Sequence, residues 1–485
     1  MKKHYYITTT LPYVNSSPHI GFASEAIRAD VLARFNRLLG KEVFFNTGTD
    51  EHGQKIAQKA TEKGVDPQEF CDEQVKKFKE MKNLLNLSWD NFVRTTDENH
   101  MKAAQAFWMK CKESGDIYKA KYKIKYCVGC ELEKTDSELN EEGRCPLHPD
   151  RDLEIIEEEN YFFKFSNYQE KLLELYEKNP EFVKPAKRLK EIKHFAEKGL
   201  QDFSVSRLKK KMPWGVPVPD DEDHVMYVWF DALVNYISVL GWPEDGETFQ
   251  KWWPGAQIAG KDNLRQQSAM WQAMLISAGL PNSEKIYING FITSGGQKMS
   301  KSLGNVVAPE EMLDKFGADG TRYLLLSMAN FGEDFDLTEE KMISKYNAEL
   351  ANGIGNIFSR VVNLSKKIDL EDSEIQKRIK SGPENKQKNL WGEYNDYLEQ
   401  GRTEQVLLDI REKISVYDKD IEKTRPWELV KTDYDKFEET MLALMESLWL
   451  IAERLEPFMP ETSEKMKKMI KTRQPEPLFP RIEKM

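Results

Sequence analysis

Apolar residues Ile27, Val31, Phe35 and Leu38 recur at helical spacing, and Gly40 marks where that helix stops. Two short runs flank it. Residues 4–10 (HYYITTT) and 42–46 (EVFFN) are rich in aromatic and β-branched side chains and predict strands. The first strand reaches the helix through LPYVNSSPHIG, punctuated by Pro12, Pro18 and Gly21. This strand–helix–strand unit has the length of a parallel pair with a right-handed crossover. The pattern returns far down the chain: a strand at 256–259 (AQIA), a helix at 263–278, a stop at Gly279-Leu280-Pro281 and a strand at 286–289 (IYIN). Two such halves predict an α/β fold in which one Rossmann-like, doubly wound parallel sheet is split by a long insertion.

Beyond residue 340 the strand signals cease. Segments 403–417 and 437–455 are amphipathic at helical period, so the C-terminal part predicts an α-helical bundle. The stretch 366–389 is charged and poor in apolar residues, which predicts an exposed helix with a loop at Gly382-Pro383. The expected organisation is a first sheet half at 1–116, an insertion at 117–225, a second sheet half at 226–339 and helices at 340–485.

Composition narrows the class. A length of 485 residues suggests roughly two to four domains. Hydrophobic residues at 40% and charged residues at 31% describe a soluble globular chain. No window approaches the roughly 20 uncharged apolar residues of a membrane span, and the N-terminus lacks a signal-peptide core. A cytoplasmic protein is expected. The net charge of −10 gives no global electrostatic case for nucleic acid, although Lys119–Lys125, Lys184–Lys193 and Arg207–Lys211 are local basic runs.

The cysteines change the picture. Five is an odd, low number that argues against a disulfide scaffold. Three of them cluster with a histidine: Cys127 and Cys130 are followed, after 14 intervening residues, by Cys145 and His148. Two short-spaced pairs let two chain turns offer three thiolates and an imidazole to one Zn²⁺. A closed Cys₃His shell leaves no position for water, so the ion's role would be structural, pinning a knuckle at 127–148. Cys71 and Cys111 stand alone in helical contexts that suit core packing.

Two loops carry the remaining chemistry. His19, Ile20, Gly21 and Phe22 sit at the carboxyl end of the first strand and open a helix, where an open parallel sheet binds ligands. The helix N-terminus favours phosphate, Gly21 allows close backbone approach and His19 can donate to a phosphoryl oxygen. Taken alone, a histidine there reads equally as a helix cap. After the strand of the second half comes Gly295-Gly296-Gln297-Lys298-Met299-Ser300-Lys301-Ser302, a glycine hinge followed by two lysines. Such a loop can close over a polyphosphate and stabilise developing charge; alone, it reads first as a solvated turn with ordinary lysines.

Together these motifs resemble the class I aminoacyl-tRNA synthetases, whose two signatures are HIGH and KMSKS. His19–Phe22 matches the first in three of four places, and Lys298–Ser302 matches the second throughout. Within the class the chain is similar to the methionyl-tRNA synthetase family almost end to end, through TLPYVNSSPHIG, TGTDEHG at 47–53, the zinc knuckle in its one-zinc form, WGVPVP at 214–219, MYVWFDA at 226–232 and GKDN at 260–263. The resemblance implies methionine activation by ATP, with Mg²⁺ travelling on the nucleotide, followed by transfer to tRNA(Met). It implies His19, Gly21, Lys298 and Lys301 on the phosphates and Asp50 on the substrate ammonium. Leu11 and Tyr13 would form the pocket lip. Trp229, Ala232, Tyr236 and Trp271 would surround the thioether, although both tryptophans read equally as core packing from their sequence alone. Asn356, Arg360 and Trp427 would read the anticodon, by edge hydrogen bonds and stacking.

The departures are specific. Phe22 replaces the last histidine of the first signature, and Gln266 and Gln267 stand where the family more often has Phe-His. Gln267 can donate and accept in the histidine's place. No insertion has the size of an editing domain, and no small β-barrel follows the helices, so a monomer is expected.

Overall fold

The computed structural model of the chain describes residues 3–130, 132–134, 138–298, 307–371, 373–375, 377 and 391–483. Most of the charged stretch 366–389, including Gly382-Pro383, lies outside them. The central sheet contains β1 (His4–Thr9), β2 (Glu42–Thr49), β3 (Asn91–Arg94), β4 (Val183–Lys184), β5 (Ala256–Gly260) and β6 (Lys285–Asn289). Their spatial order is β3-β2-β1-β5-β6-β4, and every neighbouring pair is parallel. The two halves therefore meet where β1 pairs with β5, Ile7 opposite Ala256 and Thr9 opposite Ile258. That seam is the point where the strand order reverses, and ligands bind outside the carboxyl ends of the strands there.

The pleat sends alternate side chains into two cores. Ile7 and Phe45 join a core with helix α1 (Ile20–Leu38) and the C-terminal helices, while Tyr6 packs into a second core with α2 (Glu98–Glu113) and the aromatic residues of the second half. Helix α1 is buried along most of its length. Its Asp30 accepts from Arg34 at 2.7 Å and from fully buried Arg322 at 2.7 Å. Arg322 also donates to the carbonyls of Phe458 and Leu85. Satisfied on all sides, this buried pair fixes the C-terminal helices onto the sheet, and removing one partner would leave an uncompensated charge.

Ile117–Cys127 and Glu154–Phe163 form a long antiparallel hairpin within the insertion, paired from Ile117↔Phe163 to Tyr126↔Glu154. The cysteine–histidine cluster sits at its far end. The short helix α3 (Val228–Leu233) follows the strand Asp221–Met226 and leads back to β5. Beyond the last strand, Phe335–Asp336, the described residues are helical, with Thr403–Thr424 and Tyr434–Leu455 the longest helices. No helix among the described residues is long and apolar enough to cross a membrane.

Candidate active site

The first signature loop ends on α1, and His19 caps it: its Nδ1 accepts from the backbone N–H of Gly21 at 3.1 Å and of Phe22 at 3.3 Å. The cap and the phosphate-ligand readings are thus compatible, because an accepting Nδ1 places the proton on Nε2 as the donor for an anion. Phe22 turns inward instead. It is buried and meets Phe78 edge-on at 5.4 Å, so the departure from the signature trades a polar contact for an anchor of the helix.

Beside this loop, the segment after β2 carries Asp50. Tyr13 and Asp50 are bridged in parallel; Asp50 N–H donates to Pro12 O at 3.0 Å and Val14 N–H donates to Asp50 O at 3.3 Å. Glu51 N–H donates to Thr95 Oγ1 at 2.9 Å, and Trp214 Nε1 donates to Glu51 O at 2.5 Å. The Glu51 carboxylate is gripped by the Arg94 guanidinium at 2.7 and 2.8 Å. Asp50, buried and next to the loop that holds Leu11 and Tyr13, is held in a turn with almost no freedom.

Across the seam lies the aromatic wall. Tyr236 and Trp271 meet edge to face at 5.9 Å, both buried, and Gln267 Nε2 donates to Tyr236 Oη at 2.6 Å. Ala232 is buried and Trp229 half-buried on and beside the same turn of chain. The expected continuous helix at 263–278 is broken here by a π-helical turn, Gln266–Met270, before the α-helix Trp271–Ser277. Such turns widen a helix locally and recur at functional sites. Five buried polar atoms in this wall lack a hydrogen-bond partner among the described residues: Trp229 Nε1, Gln266 Oε1, Gln267 Oε1, Ser268 Oγ and Trp271 Nε1. Each costs about 1–3 kcal/mol when left unmade, so these atoms are donors and acceptors available to a bound molecule.

Three groups that the sequence does not signal, two of them buried, adjoin these walls. Glu25 accepts from Thr10 N–H at 2.7 Å and from Thr10 Oγ1 at 2.6 Å. Burial, with the nearby Asp262 charge adding to it and the Thr10 bonds opposing it, pushes its carboxyl up to about 8. Asp231 accepts from His52 Nδ1 at 2.6 Å and from His100 Nε2 at 2.8 Å. Both lie within or beside quoted motifs, but nothing local signals a contact between residues 179 positions apart. Lys55 donates to Gly129 O at 2.8 Å and lies 5.3 Å from the Tyr13 ring, so one side chain joins the knuckle to the pocket lip.

The second signature loop begins in the hairpin formed by Ile292–Ser294 and Gln297–Lys298. Gly295 and Gly296 turn it with φ of +61° and +75°, and Gly296 N–H donates to Asp336 Oδ1 at 2.8 Å. The backbone of Lys298 pairs with Thr293; the Lys298 side chain and residues 299–306, Lys301 among them, lie outside the described residues.

Cys127, Cys130, Cys145 and His148 come together with all four donor atoms within 4.8 Å of one another. Cys130 Sγ lies 3.5 Å from Cys145 Sγ and 3.2 Å from His148 Nδ1, and Cys127 Sγ lies 3.7 Å from the same nitrogen. Bonds of about 2.3 Å to sulfur and about 2.0 Å to nitrogen place tetrahedral zinc ligands about 3.5–3.8 Å apart, which this set fits. The sulfurs are far beyond disulfide length, since S–S is about 2.05 Å. Gly129 is required by the packing: a Cβ there would come within 2.4 Å of the His148 ring.

At the opposite end of the molecule, Asn356 is exposed at the start of the helix Asn356–Ser365. It lines a cavity of about 390 Å³ with Asn352, Ser359 and Phe479. Arg360, one turn on, is held by Asp418 at 2.9 Å and Glu422 at 2.6 Å, with its guanidinium 6.0 Å from the Trp427 ring.

A parallel sheet of two halves, with a capped helix N-terminus beside its seam, is an α/β protein of the doubly wound class. The chain belongs to the family of class I tRNA synthetases (M), whose model it matches over residues 5–154 and 147–362. It is 42% identical over 469 residues to a methionine–tRNA ligase of Thermotoga maritima, covering 95% of this chain and 74% of the relative. It is 40% identical over 489 residues to that of Rickettsia typhi, covering 99% and 95%. Among solved structures it resembles Mycobacterium tuberculosis methionyl-tRNA synthetase in complex with methionyl-adenylate, with a TM-score of 0.89 and 35% identity over 96% of this chain and 94% of that one.

Proposed function

We propose that this chain is a methionine–tRNA ligase. The observation that carries the reading is likeness over nearly the whole chain to methionyl-tRNA synthetases, one of them in complex with methionyl-adenylate. In this reading a methionine carboxylate oxygen attacks the α-phosphorus of ATP. The bond from that phosphorus to the bridging oxygen breaks, and pyrophosphate leaves with methionyl-adenylate formed. A hydroxyl of the 3′-terminal adenosine of tRNA(Met) then takes the acyl group, and AMP leaves. Neither step needs a protein nucleophile; orientation and charge stabilisation suffice.

Asp50 holds the substrate ammonium. Leu11 and Tyr13 close the lip, while Trp229, Ala232, Tyr236, Gln267 and Trp271 surround the thioether, where sulfur–aromatic contacts contribute roughly 0.3–1.5 kcal/mol each. His19 Nε2 and the backbone at Gly21 meet the phosphates, Lys298 and Lys301 clamp the departing pyrophosphate, and Mg²⁺ arrives with the nucleotide. Cys127, Cys130, Cys145 and His148 hold one structural Zn²⁺, which supplies folding energy to the knuckle and no step of the reaction.

The helices at 340–485 bind the anticodon, with Trp427 stacking on a splayed base and Asn356 and Arg360 reading edges. Residues 1–116 and 226–339 form the catalytic sheet except for its edge strand β4, which comes from 117–225, the part that also carries the knuckle. The chain acts as a monomer. Charging tRNA for translation places the protein in the cytoplasm.

The test is exchange of labelled pyrophosphate into ATP by zinc-loaded protein without tRNA, with each proteinogenic amino acid in turn. Exchange with methionine alone is expected. Exchange with a different amino acid would mean the pocket residues are misassigned, and none at all, with or without tRNA, would overturn the reading.

A further inference from the structure

Asp231 is a buried carboxylate, 1% exposed, with an imidazole on each oxygen. His52 Nδ1 lies 2.6 Å from Oδ2 and His100 Nε2 lies 2.8 Å from Oδ1, and both rings are buried. A carboxylate only accepts, so both nitrogens carry hydrogens; His100 Nδ1 in turn lies 3.0 Å from Ser238 Oγ. Burial alone would raise the Asp231 carboxyl, yet the two imidazoles bring it down to about 2.

The three residues come from three places. His52 is two positions beyond Asp50 in the turn after β2. His100 is in the first turn of α2. Asp231 lies on α3 between Trp229 and Ala232. The backbone bonds that fix the Asp50 turn run to residues 12–14, 95 and 214, none of which is on α3. The bond from His52 runs instead to α3, which carries Trp229 and Ala232 of the thioether wall. A methionine held at both ends fits only if the separation of those ends is set, and burying an ion to set it is costly where an apolar contact would serve packing.

We propose that Asp231 is a positioning residue that fixes the distance between the ammonium site at Asp50 and the part of the thioether wall that α3 carries, Trp229 and Ala232, acting through His52 and His100. This rests on the methionine–tRNA ligase reading. The consequence is selective: methionine binding depends on the cluster, whereas ATP binding, served by the other signature loops, does not.

The two histidines give a test that separates positioning from bulk stability. An asparagine amide reproduces a donor at histidine Nδ1, and a glutamine amide one at Nε2. H52N and H100Q keep a donor on Asp231, while H52Q and H100N, each one methylene different from its partner and in opposite senses, lose it. In methionine-dependent pyrophosphate exchange, with competitive inhibition by methioninol as a binding readout, D231N, H52Q and H100N should each raise the methionine KM and the methioninol Ki by about tenfold or more. H52N and H100Q should stay within about threefold of the parent, with the ATP KM unchanged in all five. Should D231N fail to fold, the paired histidine variants carry the test. Equal loss in both members of each pair, a fall in kcat with methionine KM and methioninol Ki unchanged, or parallel rises in methionine and ATP KM would overturn the proposal. A parent protein inert towards methionine would instead overturn the function on which it rests.

Discussion

In the proposed site the turn at Asp50–Gly53 meets the amino acid and the hairpin at Ile292–Lys298 leads to the polyphosphate, and the two are built on opposite principles. The turn is buried, and its hydrogen bonds reach Pro12, Thr95, Trp214 and Asp231, four separate segments of chain. The hairpin turns on two left-handed glycines with no atoms within 4 Å of where their Cβ atoms would be, and its tip is held to Asp336. A small zwitterion is recognised by groups that do not move, since misplacement by about an ångström costs rate steeply. A polyphosphate that must enter and leave as pyrophosphate is better met by a segment that can close. The architecture divides the labour accordingly.

Removing the charge at the fixed end should have the largest effect. In Asp50→Ala the substrate ammonium would face an emptied, buried position, and losing one partner of such a pair costs about 2–5 kcal/mol. Methionine kcat/KM in pyrophosphate exchange should fall by roughly 10²–10³-fold, with the ATP KM nearly constant. A loss shared equally between the two substrates would break the division of labour.

How much of this contrast was legible in the sequence depends on range. β1, β2, β5 and β6 announced themselves through aromatic and β-branched runs, whereas β3 (NFVR) and β4 (VK) are too short to carry a period. The knuckle was legible because its ligands are local in sequence. The glycine hinge was legible for the same reason. Asp231, His52 and His100 were not, because their meaning lies in contacts spanning 131 and 179 positions. Gln267 is legible as a polar stand-in for the family's histidine, but the π-helical turn that presents it adds a single extra residue to a helix whose apolar period looks continuous. Arg360 was legible as a helix-face cation, while the carboxylates that hold it, Asp418 and Glu422, come from a different helix.

The fixed end should also carry a pH signature. Glu25 holds Thr10, the residue between β1 and the pocket lip, and its carboxyl is raised from 4.5 to about 8, by burial first and by Asp262 in addition. Between those values the folded protein binds a proton that the unfolded chain has lost. Stability from this group is therefore greatest at or below the unfolded value and falls as pH rises towards 8. At about 1.4 kcal/mol per unit, the contribution between pH 5.5 and 8 is on the order of 3 kcal/mol. Glu25→Gln imitates the protonated form, so urea midpoints of the parent should drop across that range more steeply than those of the variant. Identical pH profiles would mean that Glu25 stays ionised in the fold.

The smallest effect belongs to the hinge. Gly295→Ala and Gly296→Ala introduce no clash, because the surrounding space is empty, but each asks a Cβ-bearing residue to hold a left-handed conformation at roughly 1–2 kcal/mol. The hairpin is exposed at its tip, so that strain should be relieved by a local shift of the turn rather than by global unfolding. Thermal stability should therefore barely change. The turn sets the direction in which Lys298 and the residues after it leave the sheet, so the activation kcat should fall about tenfold with the methionine KM unchanged. That pattern is the reverse of the one expected for Asp231→Asn, which acts on methionine KM. Pre-steady-state measurement of adenylate formation in both variants sets the two ends of the site side by side: a KM effect at the hinge, or a pure kcat effect at Asp231, would mean that the fixed and the hinged end are not functionally distinct.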